Sequence, residues 1–239
     1  MPNSFRRSVS AGTRTYVPAL LLCFLSLTAT QAIGQDAPAV VSPLQKVLSR
    51  FDLAVVADGE ISTKVSGIEQ RDATTSHSLL TIKPSSTVGE LATLRYTAKP
   101  WVGFEFNFGN LRYTQDYTFV PPPSTTILTG GAQSGVRELT LGYVAHPRKI
   151  LGIQPYLGVG GGTIKFQPTR GGGQGLPYQY RAAYYYSLGL EDNFPNSPFG
   201  MRLGFRQVIY LAPDFLQNYL TITRRVRTSE PIVGFFVRF

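Results

Sequence analysis

Glu230-Pro-Ile-Val-Gly-Phe-Phe-Val-Arg-Phe239 is the stretch on which the reading of the whole chain turns. Side chains of an extended strand alternate between its two faces. Phe239, Val237, Phe235 and Val233 therefore share one side, and Arg238, Phe236, Gly234 and Ile232 share the other. One face is wholly apolar and ends on an aromatic ring. The other carries a charge and a glycine. A strand with lipid on one side and a packed interior on the other has this pattern. A soluble sandwich can also end on an alternating strand, so the remainder of the chain has to decide.

The opposite end reads as an export signal. Arg6, Arg7 and Arg14, with no acid among them, precede an apolar run at 17–27. A basic stretch followed by roughly ten apolar residues is the anatomy of a secretory signal peptide. Residues 1–34 are assigned to it, with cleavage after Ala32 or Gly34 and the second preferred. Residues 35–50 then form a periplasmic segment and 51–239 the barrel domain. Cys23 is the single cysteine and lies inside the apolar run, so processing leaves no thiol. A disulfide framework, a cysteine nucleophile and a cysteine metal site are thereby excluded. No later segment approaches the roughly 20 apolar residues of a membrane helix. A membrane-embedded form must cross as strands.

Composition agrees. Glycine (24), phenylalanine (15) and tyrosine (13) are abundant and charged residues make up 15%. Mean hydropathy is close to neutral, as expected where lipid-facing and lumen-facing residues alternate. The chain carries +9, and loss of the three signal arginines leaves 20 basic against 14 acidic residues. The basic residues are scattered, so no nucleic-acid partner is expected. The expected partners are outer-membrane lipid and lipopolysaccharide.

From Phe51 onward about eight alternating segments are separated by turn-rich stretches, near 50–65, 88–98, 101–116, 135–145, 153–166, 178–192, 199–211 and the C-terminus. The third is the cleanest, with Phe104, Phe106 and Phe108 on one face and Gly103, Glu105, Asn107 and Gly109 on the other. In the seventh, Phe199, Met201, Leu203 and Phe205 oppose Gly200, Arg202, Gly204 and Arg206. Connections alternate between short and long, and each segment is long enough to cross a bilayer at a tilt, roughly 9–11 residues. The expected fold is all-β: an antiparallel up-and-down transmembrane β-barrel of about eight strands, with short periplasmic turns and long extracellular loops. Its lipid-facing set comprises Phe104, Phe106, Phe108, Leu203, Phe205, Val233, Phe235 and Val237. Tyr96, Trp101, Tyr143, Tyr156, Tyr184, Tyr186 and Phe239 are assigned to interface girdles.

The inner face is charged. Asp52, Asp58, Glu105, Glu138, Glu191 and Glu230 share it with Arg95, Arg202, Arg206 and Arg238. Buried charge is tolerated only when paired and hydrogen-bonded, and a barrel of about eight strands is just wide enough for side chains. A plugged polar interior without an open pore follows.

Several stretches resemble one family. Gly103-Phe-Glu-Phe-Asn-Phe-Gly109, Gln154-Pro-Tyr-Leu-Gly-Val-Gly-Gly-Gly162, Gly173-Gln-Gly-Leu-Pro-Tyr178, Ala212-Pro-Asp-Phe215 and the terminal Phe239 are similar to the small outer-membrane β-barrels related to outer membrane protein A and its eight-stranded relatives. Within these, a group of exported barrels common in Acidobacteria is most similar. The resemblance spans about 51–239. It implies residence in the bacterial outer membrane, and a barrel-insertion signal at Phe239 read by the barrel-assembly machinery. It implies no particular activity. The peptidoglycan-binding domain of outer membrane protein A is not expected, and no cell-wall tether is carried over.

Function on such a scaffold would sit in the loops. The first, about 66–87, is polar. The second, 117–134, holds Pro121-Pro-Pro123 and reads as extended and mobile. The third has Arg170-Gly-Gly-Gly173 but lacks the Lys-Ser/Thr and the strand-to-helix setting of a phosphate loop. The fourth, 212–228, mixes Phe215, Leu216 and Tyr219 with Arg224, Arg225 and Arg227; an ordinary solvated loop with some packed aromatics is favoured over a lipid A-binding patch. His77-Ser78 and His146 are weak enzyme candidates without a carboxylate partner. No catalytic residue, cofactor or metal site is assigned, and a monomer is expected. The leading reading is a non-catalytic structural or surface-interaction barrel. The alternatives are a narrow small-solute channel, a lipid A-modifying enzyme, and a soluble lipocalin-like binder with its apolar face turned inward.

Overall fold

The computed structural model describes residues 42–68, 78–120 and 126–239. The signal-peptide assignment, its cleavage site and His77 lie outside these residues. A one-turn helix, α1 (Pro43–Leu48), opens the described chain, capped by the Ser42 hydroxyl, which accepts from the Gln45 N–H at 3.2 Å. Ten strands follow: β1 (Phe51–Ser62), β2 (Val65–Ile68), β3 (Leu79–Pro84), β4 (Thr87–Lys99), β5 (Val102–Val120), β6 (Leu128–Ala145), β7 (Gln154–Pro168), β8 (Gln179–Asn193), β9 (Phe199–Leu211) and β10 (Arg225–Arg238). Among the described residues no helix is long and apolar enough to cross a membrane, which says nothing of strands.

Eight of the strands close on themselves. β1 pairs with β4 and β10, β4 with β5, β5 with β6, and the meander runs through β7, β8 and β9 back to β10, every pair antiparallel. Closure leaves no sheet edge, which is what allows strands to stand in hydrocarbon. The structure is an all-β antiparallel eight-strand barrel.

Burial alternates along most of the wall. Asp52, Ala54, Val56 and Asp58 of β1 are buried while Val55 and Ala57 are exposed. On β5 the exposed set is Phe104, Phe106 and Phe108 and the buried set Gly103, Glu105, Asn107 and Gly109. Leu203, Val233 and Phe235 are half or more exposed, and Phe205 and Val237 sit on the same outer face, half-buried. A soluble binder would bury these apolar rows in its centre. Here they form the outer wall, and the lipocalin-like alternative fails.

Two loop assignments are corrected. The stretch 66–87 is not simply a polar loop: β2 and β3 lie within it as a hairpin that extends β1 and β4, and β3 then pairs with the far end of β5 from Leu79↔Val120 to Pro84↔Gln115. Within 117–134, β5 and β6 stay paired as far as Phe119↔Leu128. The sequence there is rich in glycine and threonine. Its strand character comes from cross-strand partners rather than from local pattern. At roughly 3.3 Å per residue, β5 and β6 rise well beyond the crossing length.

Candidate functional site

The lumen is layered, and chain register dictates the layers. Nearest the short turns, Arg95 on β4 faces Glu105 on β5 (2.9 Å) and pairs with Glu191 on β8. Glu191 also accepts from Arg202 Nε on β9 at 2.9 Å, and Arg202 reaches Asp52 on β1 at 3.0 Å. Arg238 joins at the rim, 3.9 Å from Asp52 and 41% exposed. Five strands (β1, β4, β5, β8 and β9) are thus stitched across the bore by charge-assisted contacts, which are about twice as strong as neutral ones. The Tyr156 ring lies between the two guanidinium groups, 5.0 Å from Arg95 and 5.7 Å from Arg202. Tyr156 is 2% exposed, so its assignment to an interface girdle is corrected. It sits at a strand end, where girdle aromatics gather, but it lies one residue from outward Leu157 and so faces in.

Tyr185 links this layer to the next. Its hydroxyl donates to Glu105 at 2.8 Å and accepts from the Asn107 amide at 3.1 Å, while the Arg206 guanidinium lies 4.3 Å above its ring. Arg206 in turn grips Glu138 (3.0 Å from Nη1), Glu230 (2.8 Å) and the Thr140 hydroxyl (3.3 Å). The large rings fit because the facing wall is glycine. A Cβ on Gly142 or Gly160 would run into Tyr185, and one on Gly189 or Gly204 into Tyr156.

Asp58, Glu60 and Glu230 converge beside Arg206, each offering an oxygen within 4.8 Å of the others. This is the one group of carboxylates among the described residues spaced to hold a metal ion. Asp58 Oδ1 has no protein partner. Glu60 has the same parity on β1 as Asp52 and Asp58, so alternation alone could have found it.

Above the charges the lumen turns apolar. Leu111, Tyr113, Val136, Ile164, Phe166, Val208 and Tyr210 pack with Leu80 and Ile82 of the added hairpin. Phe166 touches Tyr113 edge-on at 6.2 Å and Tyr210 at 5.4 Å. The segment between β9 and β10 folds into this core: Phe215, Leu220 and Ile222 are at most 2% exposed. Phe215 is the packed aromatic expected in this loop, and Leu220 and Ile222, which the sequence did not single out, go in with it, while Leu216, Asn218, Thr223 and the three arginines are exposed.

A polar clasp holds that segment down. Gln179 Nε2 donates to Asp214 at 2.6 Å, and its Oε1 accepts from the Asp214 and Phe215 N–H groups at 3.0 and 3.1 Å. Arg181 pairs with Asp214 at 3.0 Å, and Gln115 donates to the Pro213 carbonyl at 3.0 Å. Burial alone would raise the Asp214 carboxyl; the Gln179, Leu216 N–H and Arg181 donors outweigh it and hold the group below the usual carboxylate range. None of these partners is visible from local pattern, although Pro213-Asp214 is a turn signal.

The weak enzyme candidates are far from one another. Ser78 is buried beside β3, and His146 sits in the turn after β6, its Nε2 3.3 Å from Arg95. Burial and the Arg95 charge lower the His146 pKa. The third loop arches back onto β6, where Thr169 N–H donates to the Gln133 carbonyl at 2.8 Å, and leads into strand rather than helix.

A closed antiparallel barrel with an apolar outer wall and a charged lumen defines the class of integral membrane β-barrels. No family model matches the sequence and no curated protein matches it. Among solved structures the chain is similar to Neisserial surface protein A, at 13% identity over 78% of this chain and 97% of that one, with a TM-score of 0.46. It is similar also to the outer membrane protein OprG from Pseudomonas aeruginosa (13% identity, 79% and 95% covered, TM-score 0.47). A third is Ail, the attachment invasion locus protein of Yersinia pestis, in complex with the heparin analogue sucrose octasulfate (15% identity, 80% and 99% covered, TM-score 0.42).

Proposed function

We propose that this protein is an integral barrel of the bacterial outer membrane with a plugged interior, serving a structural or surface-interaction role without catalysis. One observation carries the reading: the bore is crossed by ion-paired side chains at one end and filled by a packed segment at the other, while the apolar rows face out. Asp52, Arg95, Glu191 and Arg202 occupy the turn end, and Phe215, Leu220 and Ile222 occupy the far end. A solute path would have to break ion pairs at one end and lift a packed segment at the other. The short turns and chain ends then face the periplasm, and the extended β2–β3 and β5–β6 ribbons face outward as a rigid platform. Phe239 serves as the insertion signal for the assembly machinery, and the barrel acts as a monomer.

Heat-modifiable migration of detergent-extracted outer-membrane fractions tests the barrel and its address. Planar-bilayer recording tests the plug. Silent bilayers are expected; stable conductance steps of defined size would replace this reading with the channel. Lipid A extracted from cells with and without the protein should be identical, and altered acylation would favour an enzyme.

A further inference from the structure

The outer wall over β5, β6 and β7 changes character abruptly along its length. Register places side chains in rows across the three strands: Phe104–Tyr143–Val159, then Phe106–Leu141–Gly161, then Phe108–Leu139–Thr163. The next row is Asn110–Arg137–Lys165, followed by Arg112–Gly135–Gln167. Three apolar rows thus give way, within two steps of about 7 Å each along the strand, to three cations. Arg112 and Arg137 are exposed and Lys165 half-buried. Among the described residues none of the three has a carboxylate within ion-pair distance. The single acid on the row, Glu90 opposite Asn110, makes no ion pair. Lys165 is further fixed by the rings of Tyr178 and Tyr180, 5.1 and 5.8 Å from its ammonium.

Arg137 and Lys165 are direct cross-strand partners. Like charges opposite one another destabilise a sheet, and neither has a counter-charge within ion-pair distance among the described residues. Side chains on paired strands stand about 5 Å apart, a spacing that brackets one phosphate group. An anion between them would offset the repulsion with charge-assisted hydrogen bonds. The rows beneath restrict what kind of anion fits. A free phosphate would leave the apolar rows unused, whereas a lipid sets a phosphate directly above acyl chains, in the same order as this wall.

We infer that Arg112, Arg137 and Lys165 form a binding site for the phosphate of a phosphorylated glycolipid in the outer leaflet, with its acyl chains lying along Phe104–Tyr143–Val159 and the two rows above. This rests on the proposed outer-membrane address. It differs from the arginines near β10, which the sequence alone offered as a lipid patch. Arg225 and Arg227 are exposed on the opposite wall, and Arg227 lies opposite Ile209 and above Ser229 and Pro231 rather than above a continuous apolar surface.

The test titrates the full-length folded protein in detergent with bis-phosphorylated lipid A, dephosphorylated lipid A and inorganic phosphate, read by native mass spectrometry. Bis-phosphorylated lipid A should bind about tenfold or more tightly than the dephosphorylated form, the scale of one charge-assisted contact. Arg137→Gln with Lys165→Gln should erase that difference, and Arg225→Gln with Arg227→Gln should leave it. Glu90→Gln, which removes the one acid on the row, should widen it, and being an exposed single change it keeps the test decisive if the double variant fails to fold. Equal binding of both lipid A forms, or equal loss in the two double variants, would overturn the site. Full displacement by millimolar inorganic phosphate would make it a phosphate site and overturn the lipid. Heat-modifiable migration on the same preparation keeps the two ideas apart: a folded outer-membrane barrel without phosphate preference sinks only this inference, whereas loss of the barrel signature sinks the function reading.

Discussion

Replacing Arg206 with leucine removes the one cation that, among the described residues, pairs with Glu138 and Glu230, two of the barrel's buried carboxylates. Arg206 is 2% exposed and contacts Glu138, Glu230 and Thr140, with Tyr185 beneath it. Asp58 and Glu60 lie in the same group. Leucine would leave the carboxylates facing one another without a counter-charge. Removing one partner of a buried ion pair costs about 3–5 kcal/mol, and the crowding of acids here places the loss at the upper end. Substituting Glu138→Gln and Glu230→Gln in the same background should recover most of it, because a neutral group of similar volume replaces the whole ion cluster. Urea unfolding in lipid or detergent, followed through Trp101, reads the change. Trp101 is the one tryptophan and is exposed at the β4–β5 turn, so its emission reports departure from the apolar surroundings. A loss below about 1 kcal/mol for Arg206→Leu, the scale of a solvated surface pair, would refute a tightly paired lumen. Failure of the triple variant to recover would refute the charge accounting.

Other expectations follow from the same geometry. Phe215→Ala should remove about 3–5 kcal/mol of packing from the segment between β9 and β10 and expose it; trypsin cleavage at Arg224 and Arg225 should quicken several-fold while heat-modifiable migration persists, and unchanged cleavage would refute its role as an anchor. Gly204→Ala should cut folding yield because its new methyl group meets the Tyr156 hydroxyl, and Tyr156→Phe in the same chain should restore most of that yield, measured by gel migration. Asp214 has a folded pKa below its unfolded value of 3.8. Its stabilising effect is therefore complete above that value and lost as pH falls through the lower folded pKa. Amide exchange in 212–224 should rise only in that acidic window, and Asp214→Asn should remove the dependence.

Much of the wall could be read from alternation because lipid and lumen impose opposite chemistry on successive residues. Phe104, Phe106 and Phe108 against Glu105 and Asn107 leave one solution. The same rule fails where both faces meet water or protein, which is why the upper ends of β5 and β6, with Gly130 and Gly131 and a threonine-rich approach, read as loop. Their strand pairing is supplied by β3 and by each other. The lumen charges were legible as a set, since charge on an inward face is conspicuous. Their pairing was not: Arg202 and Asp52 are 150 residues apart, and which residues meet across a bore depends on stagger that no single strand reveals. Asp214 and Gln179, 35 residues apart, were invisible for the same reason. Tyr156 was misplaced because position near a strand end outweighed parity with Leu157.

The seam between β1 and β10 has a consequence for how the chain could be cut. Phe239 N–H donates to the Phe51 carbonyl at 3.2 Å, so the beginning and the finish of the cylinder are already neighbours. A peptide of a few residues would join them, and new ends could then be opened at any hairpin tip. Such a recut molecule would keep all its wall pairings yet present a different strand last to the insertion apparatus, separating the need for a terminal aromatic from the need for this particular closing seam.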